Sequence, residues 1–209
     1  MSNRDLEKPA GVRRLVYKEL LEGDYRKLAA KSNDTASGGG ARDLRLPYNE
    51  FDSVFAKLLT GTRNETRRRK GQRVEVKLRT GPVVAEDEAG STTRLDMVWE
   101  SPTDARPKEG RIAQVHASPA MRQLLAARSE MPSIGGRPPQ VFVLFIQNDM
   151  GELSVHYAYV HELREPNVWA PAVAQPLLEH LDDMNRRRDR AVSGYIDFIN
   201  NVHYAHDVS

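Results

Sequence analysis

Apolar side chains recur at two periods along this chain, and the change of period marks its elements. Leu15, Tyr17, Leu20, Leu21, Tyr25 and Leu28 fall at loose helical spacing, predicting a helix over Val12–Leu28 with a break at Gly23-Asp24. A polar stretch, Lys31–Arg45, follows, with three consecutive glycines. Leu46-Pro47 closes it, and Phe51, Val54, Phe55, Leu58 and Leu59 then form the apolar stripe of a helix over Tyr48–Leu59.

The period next drops to two. Arg73–Thr80 alternates, with Val74, Val76 and Leu78 on one face, and Thr92–Ser101 alternates again through Leu95, Met97 and Trp99. Between them Gly81–Ser91 reads as an acidic turn. Pro102–Gly110 is a polar, proline-bearing connection, and Arg111–Ala117 reads as a short strand. Pro119–Arg128 looks helical and Ser133–Pro139 irregular. Gln140–Ile146 is a continuous apolar run, as expected of a strand buried on both faces. A turn at Asn148–Gly151 and an alternating Leu153–Val160 complete a hairpin. From Pro176 to Val202, Leu177, Leu178, Leu181, Met184, Val192, Tyr195, Ile196 and Ile199 recur at three and four, predicting a helical tail.

Three successive strands without crossover helices argue for a mostly antiparallel α+β fold, an open barrel with flanking helices. The organisation expected is a domain over 1–168 and a helical extension over 169–209.

Composition narrows the chemistry. With 209 residues the chain can bury a sizeable core, and with no cysteine it excludes disulfides, Cys-ligated zinc, iron–sulfur clusters and thiol catalysis. No apolar run approaches the ~20 residues of a membrane span. Met1–Ala10 is polar, unlike a signal peptide. A soluble, cytoplasmic protein is expected. The net charge of +2 conceals an asymmetry: residues 1–81 hold 19 Lys/Arg against 11 Asp/Glu, and residues 82–209 hold 12 against 18. Arg outnumbers Lys by 23 to 8. Guanidinium forks match phosphates and guanine edges, so the basic half points to a polyanion, nucleic acid first.

Four segments carry candidate chemistry. Ser37-Gly38-Gly39-Gly40 lacks the Lys-Ser/Thr of a phosphate-cradling nucleotide loop. Its glycines permit close backbone approach, with Arg42 and Arg45 just beyond. Asp104–Arg111 alternates in sign and offers Arg106, Lys108, Glu109 and Arg111 to a duplex; an ordinary polar loop is the other reading. Arg67-Arg68-Arg69-Lys70 is the strongest local positive field and suits phosphate contacts or a solvated turn. Glu75-x-Lys77 on a strand has the form of a Mg²⁺-dependent nuclease site, but the nearest upstream acid, Asp52, lies in a predicted helix, and Asp96 and Glu100 follow in the wrong order. The six histidines show no metal spacing. No metal and no cofactor are expected. Arg186–Arg188 with Arg190, beside the apolar positions of the tail, suits a solvated face, a partner contact or homodimer packing.

Taken in order, these features resemble the N-terminal effector-binding domain of EcoRII-type restriction endonucleases, in the DNA-binding pseudobarrel superfamily that also includes plant auxin-response-type transcription factors. Four segments, together about residues 15–165, carry the resemblance. They are Ser32-Asn33-Asp34-Thr35 with Gly38–Gly40 and Leu46-Pro47; the Tyr48–Leu59 helix leading into the Val74–Leu78 strand; the Thr92–Trp99 strand with the Arg106–Glu109–Arg111 arm and Ile112–Val115; and the Val141–Ile146 and Leu153–Val160 strands.

In that family two arms enter the major groove like a wrench. The resemblance implies a first arm with Asn33, Asp34, Thr35, Gly39, Gly40, Arg42 and Arg45. It implies a second with Arg106, Lys108, Glu109 and Arg111. Arg67, Arg68, Arg69 and Lys70 are expected on the DNA backbone. The chain departs from the family where a His commonly follows the glycines and an aromatic precedes the proline: Ala41 and Arg45 stand nearest. The family's nuclease domain would follow the pseudobarrel, and no catalytic set is read after residue 170. The expectation is therefore a sequence- or modification-specific double-stranded DNA-binding protein of restriction or phage defence, with cleavage by a partner nuclease. The alternatives are a divergent Mg²⁺-dependent nuclease using Glu75 and Lys77, and a protein-interaction adaptor working through the tail.

Overall fold

The computed structural model describes residues 11–29, 43–69, 72–86, 92–102, 108–113, 115, 118–127, 140–186 and 191–207. The fold is mixed α+β. The chain divides into two compact units, one built from residues 1–20 and 127–209 and the other from 21–126. This division places no boundary at 168/169.

Among the described residues of the first unit, five strands lie in the order β10-β9-β1-β7-β8, and every neighbouring pair is antiparallel. They are β1 (Val12–Glu19), β7 (Val141–Asn148), β8 (Leu153–Tyr159), β9 (Ala191–Asp197) and β10 (Val202–Asp207). The run VFVLFIQ of β7 is buried at each of its seven positions, because strands flank it on both sides and both its faces are covered. The hairpin with β8 forms as its turn signal predicts. Asn148 Oδ1 accepts the backbone N–H groups of Met150 and Glu152, and Gly151 adopts a φ of 85°. Helix α4 (Val160–Arg164) follows β8, and α5 (Pro171–Arg186) places Val173, Ala174, Leu177 and Leu181 against Leu15, Tyr17, Phe142, Leu144 and Ile196.

Two sequence expectations fail here. Val12–Glu19 is a strand rather than the start of a helix; only Glu22–Ala29 is helical, as α1. The tail is not helical throughout: after α5 the chain returns as the β9–β10 hairpin, with β9 beside β1. The apolar positions read as a dimerising stripe are therefore shared between a helix and a strand, and Leu177, Leu181 and Ile196 lie in the unit's own core. Gly194 is required in β9, since a Cβ there would collide with the Tyr17 phenol and the Tyr204 carbonyl.

In the second unit, β2 (Leu44–Pro47), β3 (Gly61–Arg69), β4 (Gln72–Glu86), β5 (Thr92–Glu100) and β6 (Glu109–Ala113) pair antiparallel in the order β3-β4-β5-β6-β2. Helix α2 (Tyr48–Leu58) begins where Pro47 ends β2 and buries Phe51, Val54, Phe55 and Leu58, the predicted stripe. Its Phe55 stacks on Trp99 with centroids 4.5 Å apart, and Tyr48 stacks on the same indole at 5.9 Å. Gly110 has to be glycine, because any Cβ would overlap the Trp99 ring. Helix α3 (Pro119–Ala127) forms close to its predicted bounds. Three boundaries move: the basic segment 61–69 is a strand, β4 continues through the supposed acidic turn to Glu86, and the strand expected at 111–117 is Glu109–Ala113.

Candidate nucleic-acid interface

The register of the second unit's sheet decides which charges meet. Directly paired residues on antiparallel strands project from the same face. Leu44, Ile112, Trp99 and Arg79 form one such row. On this face Asp52 of α2 receives Arg79 Nε at 2.8 Å, Arg79 Nη2 at 2.7 Å and Trp99 Nε1 at 3.1 Å. The paired guanidinium holds the Asp52 carboxyl below the ordinary aspartate range, and the indole hydrogen bond adds to this against the opposing effect of burial. The same contact raises Arg79.

The next row, Arg45, Arg111, Glu100, Leu78 and Arg63, lies on the other face. A ladder of alternating charge runs along it. Glu100, with 7% of its side chain exposed, accepts Arg67 Nη1 on its two oxygens at 3.0 and 3.1 Å and is also bound by Arg111. Arg111 reaches Asp43 at 3.3 Å. Arg45 Nη1 binds Glu109 at 2.8 Å, while its Nε faces Asp43 at 3.8 Å, beyond hydrogen-bond length. At the far end Glu65 binds Arg67 and Arg63, each at 2.9 Å. The hydrogen bonds from Arg67 hold the partly exposed Glu65 carboxyl below its ordinary range. Four arginines and four carboxylates thus neutralise one another within the ladder.

Of the predicted arm residues, the structure describes Arg45, Lys108, Glu109 and Arg111. Arg45, Glu109 and Arg111, assigned to different arms, come together on adjacent strands. Asn33, Asp34, Thr35, Gly39, Gly40 and Arg42 of the first arm and Arg106 of the second lie outside the described residues, as do Lys70 and the side chains of Arg68 and Arg69. The strands these arms lead into are antiparallel. The glycine segment enters β2 at Leu44, beside Ile112; the charged arm enters β6 at Glu109, beside Pro47, with Lys108 exposed and its carbonyl accepting Tyr48 N–H at 2.9 Å. The two arms therefore join opposite ends of a four-pair ladder, about 10 Å long at the usual strand rise.

Arg67, expected on a phosphate, has its fork taken by Glu65 and Glu100. Glu75 and Lys77 are exposed on β4, and Asp52 is held by Arg79 and Trp99 rather than presented to a cation. Among the described residues no three His, Asp or Glu side chains gather as a metal ion requires. Sequence reading missed Asp43, Glu65 and Glu100 as partners. A faint signal was present: Glu100 follows Arg94, Asp96 and Val98 on the strand face opposite Trp99, within the sheet that also carries the basic segment.

Among the described residues no helix is long and apolar enough to cross a membrane. No protein-family model, curated protein or solved structure matches this chain.

Proposed function

We propose that this chain is a sequence- or modification-specific double-stranded DNA-binding protein, built as an open pseudobarrel of the kind found in EcoRII-type effector domains. The observation that carries the reading is the attachment of the two arms at opposite ends of the β2–β6 ladder. A separation of about 10 Å suits two arms entering a major groove about 12 Å wide. The basic half of the sequence, residues 1–81, supplies the first arm, and Arg106 and Lys108 supply the second. In this reading Arg45 and Arg111 are part of the rigid floor, because their forks are already bound by Glu109, Glu100 and Asp43. Arg42, Arg106 and Lys108 are then the groups that reach base edges. Cleavage, where it follows binding in restriction or phage defence, belongs to a separate nuclease.

Selection from a random duplex library, with unmodified and modified DNA, followed by binding measurements over a salt series, tests this. A preferred site is expected, with affinity falling steeply as salt rises. Arg106→Ala is expected to weaken binding about tenfold and to relax preference at one position. Failure of the wild-type chain to bind any duplex at low salt overturns the reading.

A further inference from the structure

Residues 61–80, the β3–β4 ribbon, hold eight Lys/Arg against two Asp/Glu. The two faces of this ribbon handle their charge differently. One face carries Arg63, Glu65 and Arg67, all engaged in the ladder. The other presents Asn64 paired with Lys77, Thr66 paired with Glu75, and Arg73, all exposed. Neither Arg73 nor Lys77 forms an ion pair with any described residue. The field of Lys77 reaches Asp52, a carboxylate already bound by Arg79. Among the described residues, the positive charge at Arg73 and at Lys77 is therefore not taken up by an ion pair, in contrast to the face behind it.

We propose that this outer face of the β3–β4 ribbon is a phosphate-gripping surface for duplex DNA, distinct from the two arms. Arg73 and Lys77, about 13 Å apart along β4 by strand rise, neutralise two phosphates. Asn64 and Thr66 on β3 donate hydrogen bonds to the same backbone. Glu75 lies between the two cations and repels phosphate, so the backbone is engaged at the two ends of the strip and not across it. The surface positions the duplex and carries no sequence information. This proposal rests on the duplex-binding reading above, with a test that separates the two.

The wild-type chain, Arg73→Ala/Lys77→Ala and Arg106→Ala are titrated into a duplex of about 20 base pairs from about 50 to about 300 mM salt. The wild-type melting curve checks that the variants are folded. For the double variant the slope of log K against log salt should become shallower by about 1.8, two phosphates at about 0.9 each. Its rank order of affinity across different duplexes should stay that of wild type. Glu75→Gln should bind every duplex more tightly, without changing that order. An unchanged slope in a folded double variant, while wild type binds and Arg106→Ala loses preference, overturns the ribbon surface and leaves the arms standing. Absence of wild-type binding overturns both. Equal affinity and slope on duplex RNA overturn the assignment to DNA.

Discussion

Two buried carboxylates, Asp197 in the first unit and Glu100 in the second, are held in different ways. Asp197 caps a turn: its Oδ1 accepts the backbone N–H groups of Ile199 and Asn200, and its Oδ2 accepts Asn200 Nδ2 and Arg14 Nε. Three of these four contacts come from residues two or three positions away. Among the described residues Glu100 is bound by the guanidinium groups of Arg67 and Arg111, 33 and 11 residues distant and on other strands. The first carboxylate therefore shapes a local reversal of the chain. The second ties an edge strand to the strand fed by the charged arm. Guanidinium groups already paired in this way are costly to withdraw from their carboxylates.

The largest effects should come from the apolar core that each unit has of its own. Trp99→Ala removes the indole that α2 stacks on, and Phe142→Ala empties the corresponding site under α5; each should cost about 3–5 kcal/mol in denaturant unfolding. A cost well below this range for Trp99 alone would mean that the second unit depends on its charge ladder rather than its apolar face. Next, Glu100→Ala leaves two arginines without their shared carboxylate and should cost about 3 kcal/mol, at the low end for a buried pair because Arg67 is one-third exposed. Asp197→Ala should match it. If Glu100→Ala proves neutral, the ladder is a surface feature and the contrast between the two carboxylates collapses.

A smaller effect comes with a defined pH dependence. Asp52→Asn should cost about 2 kcal/mol at neutral pH, since the hydrogen bonds from Arg79 lose their charge assistance. Because the folded carboxyl titrates below its unfolded value, the unfolded state binds more protons in between. The contribution of Asp52 is therefore complete above the ordinary aspartate range and is lost as pH falls through the folded value. The Asn variant should show a flatter acid limb in a stability–pH profile, and an unchanged limb would place the linkage elsewhere. The smallest effect should be Arg164→Ala, whose pair with Asp182 is about half exposed on both sides: about 0.5 kcal/mol or less in a thermal melt.

The legibility of the fold follows from burial. Residues 48–58 and 141–148 were readable because a one-sided helix and a strand covered on both faces each leave a distinct pattern. Residues 12–19 were misread because β1 buries successive residues, Leu15 to Glu19, and so shows no alternation. The tail was misread because Val192, Tyr195, Ile196 and Ile199 mimic helical spacing across a strand and its turn. Asn200-Asn201, with Asn201 at a φ of 50°, was the overlooked turn signal. At the candidate site, the arm residues Arg45, Glu109 and Arg111 stood out by their charge, but their partners Asp43 and Glu100 did not.

The sequence by itself determined that the chain is a cysteine-free α+β protein with a basic first half, and it marked the residues whose chemistry suits DNA. Hydrophobic periodicity and charge are local properties, and those conclusions follow from them. Only the tertiary structure decided which of the described cations are paired with carboxylates and which face outward. Strand register, set by the pairing of segments distant in sequence, turns Arg45, Arg67 and Arg111 toward carboxylates and leaves Arg73 and Lys77 facing outward. A guanidinium is available to a phosphate only when no carboxylate of its own chain already occupies it, and that depends on which strands the fold makes neighbours.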